Sequence, residues 1–557
     1  MKSRIRPVIG LLAAPLPIIA LAASPAFAAQ PAAQPAALQS DVVTAVNHSV
    51  RTGEVASGQR ISVAVSLAQR DVAGLDTFLS QVSNPNSAQY QHYLTVDQFA
   101  DRFGATPETV AKVSGYLAAQ GLQVGGVTAN RLTIEASGTA AQVQKAFGTS
   151  LATFRDNKDG RSYYANTAAP ELPADIASVV TDVAGLNDYA KFTHFSQKAA
   201  ASQPASPSTS SATSKAAPVA GLTPTTARAA YNLTSTINAG YNGKGSTIGL
   251  LEFSAFDQSN ISTYDKQFGL KPSTPAVVNA GGGTTDLSGE DEVELDIEVV
   301  QALAPGAAVK VYEAPNSDAG ETAVYSKLVS DNVPVISTSW GTDEADETAS
   351  NRVAVDADLK EAAAQGQSVF AASGDNGSDD AGNGGTSVDF PASDPYTTGV
   401  GGTTLTTSSS GAWSKETAWS GSGGGISSYF STPSFQSKVN TGKFRDVPDV
   451  AAAADPSTGW AVYSQGSWAE FGGTSAAAPN WAAFVAVYNS EAKAKGKSSF
   501  GFANSTIYNL ASSSSYSSAF HDVKSGSNGA YSAGTGYDKV TGWGTYNGAN
   551  FLKAKLG

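Results

Sequence analysis

Residues 334–372 begin with Pro334-Val335-Ile336-Ser337-Thr338-Ser339, pass through a helix-spaced run from Val353 to Gln365, and end on Ser368-Val369-Phe370-Ala371-Ala372. The two short apolar runs have the length of buried strands, and the run between them has the period of a helix. Strand, helix and strand in succession predict a crossover unit with parallel strands. The same alternation continues upstream. Thr247-Ile248-Gly249-Leu250-Leu251 reads as a strand, Glu292 to Leu303 as a helix, Ala308 to Tyr312 as a strand and 319–330 as a helix. A last helix is expected from about Ala476 to Lys495, after a stretch rich in Gly and Ser. The fold class is therefore α/β, a parallel sheet with helices on its faces. No internal repeat is present.

The chain has 557 residues, 41% apolar and 15% charged, enough to bury cores in roughly three or four domains. Lys+Arg 35 against Asp+Glu 48 gives −13, which argues against nucleic acid as the main partner. With no cysteine, thiol catalysis, disulfides and Cys-ligated metals are excluded. Met1 to Arg6 carries three positive charges, an apolar stretch runs from Pro7 to Ala23, and Ala26-Phe27-Ala28 supplies the small residues of a signal-peptidase site. Residues 1–28 are thus expected to be a removed export signal, leaving a secreted, extracellular protein without a membrane segment. Residues 43–192 read as a compact α/β unit, with strands Ile61 to Leu67, Leu132 to Ala136 and Leu151 to Phe154, and helices Val72 to Val82 and Thr106 to Gln120. A Ser/Ala/Pro tract over 196–220, within a 193–221 connection, cannot offset its ordering entropy and is expected to be an exposed, cleavable linker. The remaining domain spans 222–557.

Gly472-Gly473-Thr474-Ser475-Ala476-Ala477-Ala478-Pro479 opens the last helix. Ser475 at a helix start has free N–H groups around it, which suits either a nucleophile or a simple N-cap. A serine nucleophile needs a base. The four histidines do not supply one: His48 and His92 lie in the first unit, His194 beside the linker, and His521 in a late loop. A carboxylate is the remaining choice. Glu290-Asp291-Glu292-Val293-Glu294-Leu295-Asp296-Ile297-Glu298 is the densest source. Glu292 and Asp296 share a helix face, but so do Glu290/Glu294 and Glu294/Glu298, so helical spacing does not choose among them. Asp375, in Ser373-Gly374-Asp375-Asn376-Gly377, follows a predicted strand, where catalytic groups of open α/β sheets collect, although an Asx turn would also use it there.

These ordered motifs resemble the sedolisin family of serine-carboxyl peptidases, and the kumamolisin-like members in particular, over nearly all of the chain after the signal. The resemblance implies a subtilisin-like domain with helices on both faces of the sheet, preceded by a smaller ferredoxin-like α/β activation propeptide that inhibits its own enzyme. Ser475 matches the nucleophile, Glu292 and Asp296 the Glu-x-x-x-Asp pair, and Asp375 the aspartate that stabilises the oxyanion. Trp340, after Ser339, matches a tryptophan near the catalytic glutamate, and Glu252 an outer glutamate of the same hydrogen-bond network. Ser87-Ala88-Gln89-Tyr90-Gln91-His92-Tyr93-Leu94-Thr95 is similar to the family's propeptide.

In the tail, Asp522 and Asp538 with glycines between them could wrap a calcium ion, though by composition the segment is an ordinary Gly-rich turn. The resemblance implies one structural Ca2+, with side chains from Asp522 and Asp538 and carbonyls from Val523, Gly534 and Gly536. Gly423, Gly424 and Gly425 could line a substrate strand, since glycine admits close backbone approach.

The expected function is acyl transfer on protein or peptide substrates by a secreted, monomeric, self-processing endopeptidase. A tripeptidyl-type exopeptidase and a silent binding protein on the same scaffold are the alternatives. A carboxylate base, with its ordinary pKa near 4 against roughly 6.5 for histidine, predicts activity in acid.

Overall fold

A computed structural model describes Met1 and residues 35–38, 42–200 and 219–557. The expected export signal beyond Met1 and the 201–218 part of the linker lie outside the described residues.

Eight strands form the main sheet: β1 (Thr247–Glu252), β2 (Ala276–Asn279), β3 (Ala308–Glu313), β4 (Val335–Thr338), β5 (Ser368–Ala372), β6 (Thr398–Thr407), β7 (Trp413–Ala418) and β8 (Val450–Ala453). Their order is β2-β3-β1-β4-β5-β6-β7, with β8 also bonded to β6. Every pair is parallel except β6–β7. Helices α1 (Glu290–Leu303), α2 (Asp318–Ser330), α3 (Ala349–Gln365) and α4 (Thr474–Ala494) cover it. The strand period of two sorts side chains between the faces. Leu250, Val311, Val335 and Phe370 join Val293 and Val299 of α1 and Trp481 and Val485 of α4 in one core. Leu251, Tyr312, Ile336 and Val369 join Val324 and Leu328 of α2 and Val355 and Leu359 of α3 in the other. This is the subtilisin-like layering expected, with helices on both faces.

Strands β6 to β8 escaped the sequence pattern for a physical reason. In β6 a Cβ on Gly402 would press on Ala454 and the Trp419 ring, and one on Gly401 on Ser422, Pro448 and the Val540 carbonyl. Neighbouring side chains fill space that an apolar residue of β6 would otherwise take, so the alternation is not written in the strand itself.

The first unit carries a four-stranded antiparallel sheet in the order Gln123–Val127, Thr133–Thr139, Arg60–Leu67, Val180–Ala184. With helices Val72–Ser83, Val96–Arg102 and Pro107–Ala119 after the first strand and Ala140–Phe147 after the third, this is the ferredoxin-like βαββαβ arrangement. Thr106 caps its helix through the Thr109 N–H, with Pro107 at the first helical position.

The two units share a separate apolar cluster. Leu75, Phe78, Leu79, Phe99 and Phe103 of the first pack with Ala363, Ala364 and Phe502 of the second. Tyr93 is the pin of this contact. Its hydroxyl accepts the Phe502 N–H at 3.1 Å, and Leu94 N–H donates to the Ala364 carbonyl at 2.9 Å. Its ring fills the space a Cβ would need at Gly366 (φ 72°) and Gly501 (φ 73°). Beside it the Asn130 amide donates to Glu361 Oε2 at 2.7 Å. Gly501→Ala is expected to cost the uncut chain on the order of 1–3 kcal/mol, from left-handed strain plus collision with Tyr93. Urea unfolding of that substitution in a Ser475→Ala background, which stays uncut if Ser475 is the nucleophile, measures it.

Candidate active site

Helix α1 lies between β-sheet and neighbours on all sides, so Glu292, Glu294, Asp296 and Glu298 are at most 1% exposed. A solvated acidic face is excluded. Buried carboxyls must be protonated, hydrogen-bonded or both. The structure separates the spacing pairs that sequence left open. Glu294 Oε1 accepts the Asp257 N–H at 3.1 Å and the Asn260 amide at 2.8 Å, and Glu298 Oε2 accepts the Tyr463 N–H at 3.0 Å. Asp296 instead faces Ser339, whose hydroxyl lies 2.8 and 3.0 Å from its two oxygens. Burial, followed by the charges of Glu252 and Glu292, holds the Asp296 carboxyl well above its usual range. Burial and Glu292 do the same to Glu252, which accepts the Trp340 Nε1–H at 2.8 Å. Glu252 and Asp296, both facing the charge of Glu292, thus form a coupled pair of acids that cannot both ionise readily.

Ser475 is the second residue of α4 and is fully buried; the N-cap is Gly473, at φ 102°. The simple-cap alternative is therefore excluded. Pro479 sits in the second turn and has no N–H to give the Ser475 carbonyl. The Ser339 hydroxyl stands 3.2 Å from that carbonyl instead. With Asp296 protonated, its proton can go to Ser339 and the Ser339 proton to α4, which ties the acid to the backbone of the serine. Across the cleft, Asp375 Oδ1 accepts the Thr474 N–H at 2.8 Å and its hydroxyl at 2.9 Å, and the Gln197 side chain of the linker bonds the same buried carboxyl. Burial pushes this carboxyl well above its usual range, so it can carry a proton on Oδ2 and donate it.

The connection between the units passes directly over these groups. Thr193–His194 pairs antiparallel with Trp340 and Gly341, and Gln197–Lys198 with Phe471 and Gly472. Phe195 N–H donates to Ser475 Oγ at 3.0 Å, and Ser196 N–H to Glu292 Oε2 at 3.0 Å. His194 Nδ1 stands 3.2 Å from the same Glu292 oxygen and 3.0 Å from the Ser196 hydroxyl. Consecutive amides therefore bond the serine and the glutamate. Burial disfavours the charged His194 ring, but Glu292 outweighs it and the pKa is raised. The 196–220 tract is expected to be an exposed linker, and Gln197 and Lys198 are indeed exposed. Their backbone is nevertheless strand-paired, because backbone pairing requires no large apolar side chain. His521 is stacked on Trp413 at 4.1 Å, and burial lowers it to about 4. Ser339, Thr474, His194, Phe195 and Ser196 are not singled out by sequence as site residues; the adjacency of Ser339 to Trp340 and of Thr474 to Ser475 offered a signal for two of them.

Gly423, Gly424 and Gly425 lie elsewhere than the linker's strand partners. Gly423 N–H donates to the Gly374 carbonyl at 2.8 Å, and a Cβ there would overlap the Ser373 carbonyl, so this glycine permits close packing beneath Asp375.

Among the described residues no three acidic or histidine side chains converge as a metal cage. The 522–538 loop brings two carboxylates to one glycine-rich turn. Asp522 Oδ1 accepts the Gly536 N–H at 3.0 Å and the Tyr516 hydroxyl at 2.9 Å, and Asp538 Oδ2 accepts the Gly534 N–H at 2.9 Å. Burial raises the Asp538 carboxyl, a penalty that a neighbouring cation would offset. Two carboxylates with backbone carbonyls are the donors that calcium takes, and Lys524 Nζ, 3.3 Å from Asp522 Oδ2, is the cation that stands there in the structure.

Residues 47–189 match the pro-kumamolisin activation domain, and residues 278–544 the subtilase family. The chain is 34% identical to sedolisin of Pseudomonas sp. (strain 101), over 88% of this chain and 86% of that one. It is also 34% identical to kumamolisin of Bacillus sp. (strain MN-32), over 91% and 94%. Among solved structures it is similar to Pseudomonas sedolisin, a serine-carboxyl proteinase complexed with two molecules of pseudo-iodotyrostatin, at 33% identity and TM-score 0.54, over 60% of this chain and 98% of that one.

Burial raises Glu294 to about 7. Below the unfolded value near 4.5 it is protonated in both states. As pH rises toward 7 the unfolded chain ionises first, so this group withdraws stability, by roughly 1–3 kcal/mol across that window. Glu294→Gln is expected to flatten the fall in stability between pH 4.5 and 7, read from denaturant midpoints against pH.

Proposed function

Because the chain belongs to the sedolisin family of serine-carboxyl peptidases, we propose that Ser475 is its nucleophile, Glu292 its general base and acid, and Asp375 its oxyanion stabiliser. Ser475 Oγ attacks the peptide carbonyl carbon as Glu292 takes its proton. Asp375 donates a hydrogen bond from Oδ2 to the developing oxyanion. Glu292 then returns the proton to the leaving amine as the C–N bond breaks, and water releases the acyl group by the same steps in reverse order. Asp296 and Glu252 hold the proton shared among the acids, and Trp340 fixes Glu252.

The observation that carries this reading is the linker amide at the serine, Phe195 N to Ser475 Oγ at 3.0 Å. It makes His194–Phe195 the bond first cut in self-processing, with Phe195 N as the leaving amine. Endopeptidase action is supported by the same segment. The chain continues on both sides of that bond, through Phe192 and Lys191 upstream and to Ala199 downstream. A cleft for tripeptides would end three residues before the cut.

The unit over 43–192 is the activation propeptide, and the peptidase domain spans 222–557. The enzyme is exported and acts outside the cell in acid, where a carboxylate base and a neutral Asp375 are both available. No helix among the described residues is long and apolar enough to cross a membrane. Asp522 and Asp538, with the carbonyls of Val523, Gly534 and Gly536, would hold one calcium ion; when bound it cross-links the tail in a chain that has no disulfide.

The wild-type chain, folded at neutral pH and shifted to pH 4, is expected to yield a fragment whose N-terminus is Phe195, while Ser475→Ala stays intact. N-terminal sequencing and mass spectrometry decide. Processing of Ser475→Ala at the wild-type rate, or a pH–rate maximum above neutrality, would overturn the assignment. Chelation by EGTA is expected to lower Tm by several degrees, restored by added calcium and followed by calorimetry.

A further inference from the structure

Upstream of the serine the linker makes contacts that its strand pairing does not require. Phe192 is 2% exposed, and its ring stacks on Phe253 with centroids 5.0 Å apart and planes at 22°. Its N–H donates to Asn316 Oδ1 at 2.9 Å, and its carbonyl accepts from Asn316 Nδ2 at 2.8 Å. One side-chain amide thus offers Phe192 the donor and acceptor that a paired strand residue would offer, and does so whatever side chain stands there. An extended chain sends alternate residues to the same face. His194, two residues on, accordingly meets the Trp340 ring edge-on at 5.1 Å, and Trp340 meets Phe253 at 5.7 Å. Two linker rings lie against two rings of the peptidase domain. Phe253 follows β1, Trp340 follows β4 and Asn316 lies beyond β3, all at strand carboxyl ends, where open α/β sheets place ligands.

We propose that Asn316 and Phe253 form a subsite for the third residue before the cut. Asn316 holds the backbone of that residue, and Phe253 selects an aromatic side chain. The preferred substrates are extended protein segments with an aromatic residue at that place. The proposal rests on the assignment of His194–Phe195 as the bond at Ser475. The rival explanation is that Phe192 only docks the activation unit and has no counterpart in substrates cut by the mature enzyme.

The test uses the self-processed enzyme at pH 4 with two synthetic peptides, residues 188–199 and the same peptide carrying Phe192→Ala. Wild type is expected to cut the phenylalanine peptide with kcat/KM roughly tenfold to a hundredfold higher. Phe253→Ala is expected to erase that preference. Asn316→Ala is expected to slow both peptides by the same factor, about tenfold, with the preference retained. The wild-type peptide pair decides the matter even where Phe253→Ala folds poorly. Equal cutting of both peptides at His194–Phe195 overturns the subsite alone. Cutting at other bonds, or none, overturns the scissile-bond assignment and the subsite register with it.

Discussion

A carboxyl group denied water either keeps its proton or finds donors, and α1 places four such groups where water does not reach. The peptidase domain is arranged around that constraint. On one side of the helix, Glu294 and Glu298 are met by backbone N–H groups and the Asn260 amide. On the other, Asp296 and Glu292 are met by Ser339 and by the linker. Glu252 reaches in from the end of β1 and is steadied by Trp340. The sheet order matters here because β1 and β4 are adjacent, so their carboxyl ends bring Glu252 and Trp340 to one spot above α1. The sheet supplies position, and burial supplies the shared proton.

The linker turns that site on itself. Its backbone adds a short strand at Trp340–Gly341 and another at Phe471–Gly472, and the amides between the two strands point at Ser475 and Glu292. Strand addition reads main chain rather than side chain. That is how the linker's own backbone can occupy the cleft as a substrate would, and why Glu292 is engaged by Ser196 and His194 while the chain is uncut.

Much of this was legible in the residues. The alternation of 247–251, 292–303, 308–312, 334–339, 353–365 and 368–372 corresponds to elements of the structure to within a few residues. Ser475, Glu292, Asp296 and Asp375 stood in motifs, and the structure gathers them and the linker at one cleft. Strand β6 was illegible because Gly399, Gly401 and Gly402 occupy places where apolar periodicity would show, while β7 carries the polar run Ser414 to Thr417 and β8 is four residues of Val and Ala. The choice of Glu292/Asp296 over its neighbours was illegible because Glu294 and Glu298 are buried as well, and only tertiary partners such as Asn260 and Ser339 distinguish them. His194 could not be read as a partner of Glu292, since nothing in the tract announces that it lies down in the cleft.

The Tyr93 socket outlasts the first cut. Severing one peptide bond leaves the socket, the shared cluster of Phe78, Phe99 and Phe502, and the Asn130–Glu361 bond untouched. Scission and departure are therefore separate events. Activation on this geometry takes two steps, a broken bond and a broken interface, and the second is held by side chains far from the serine.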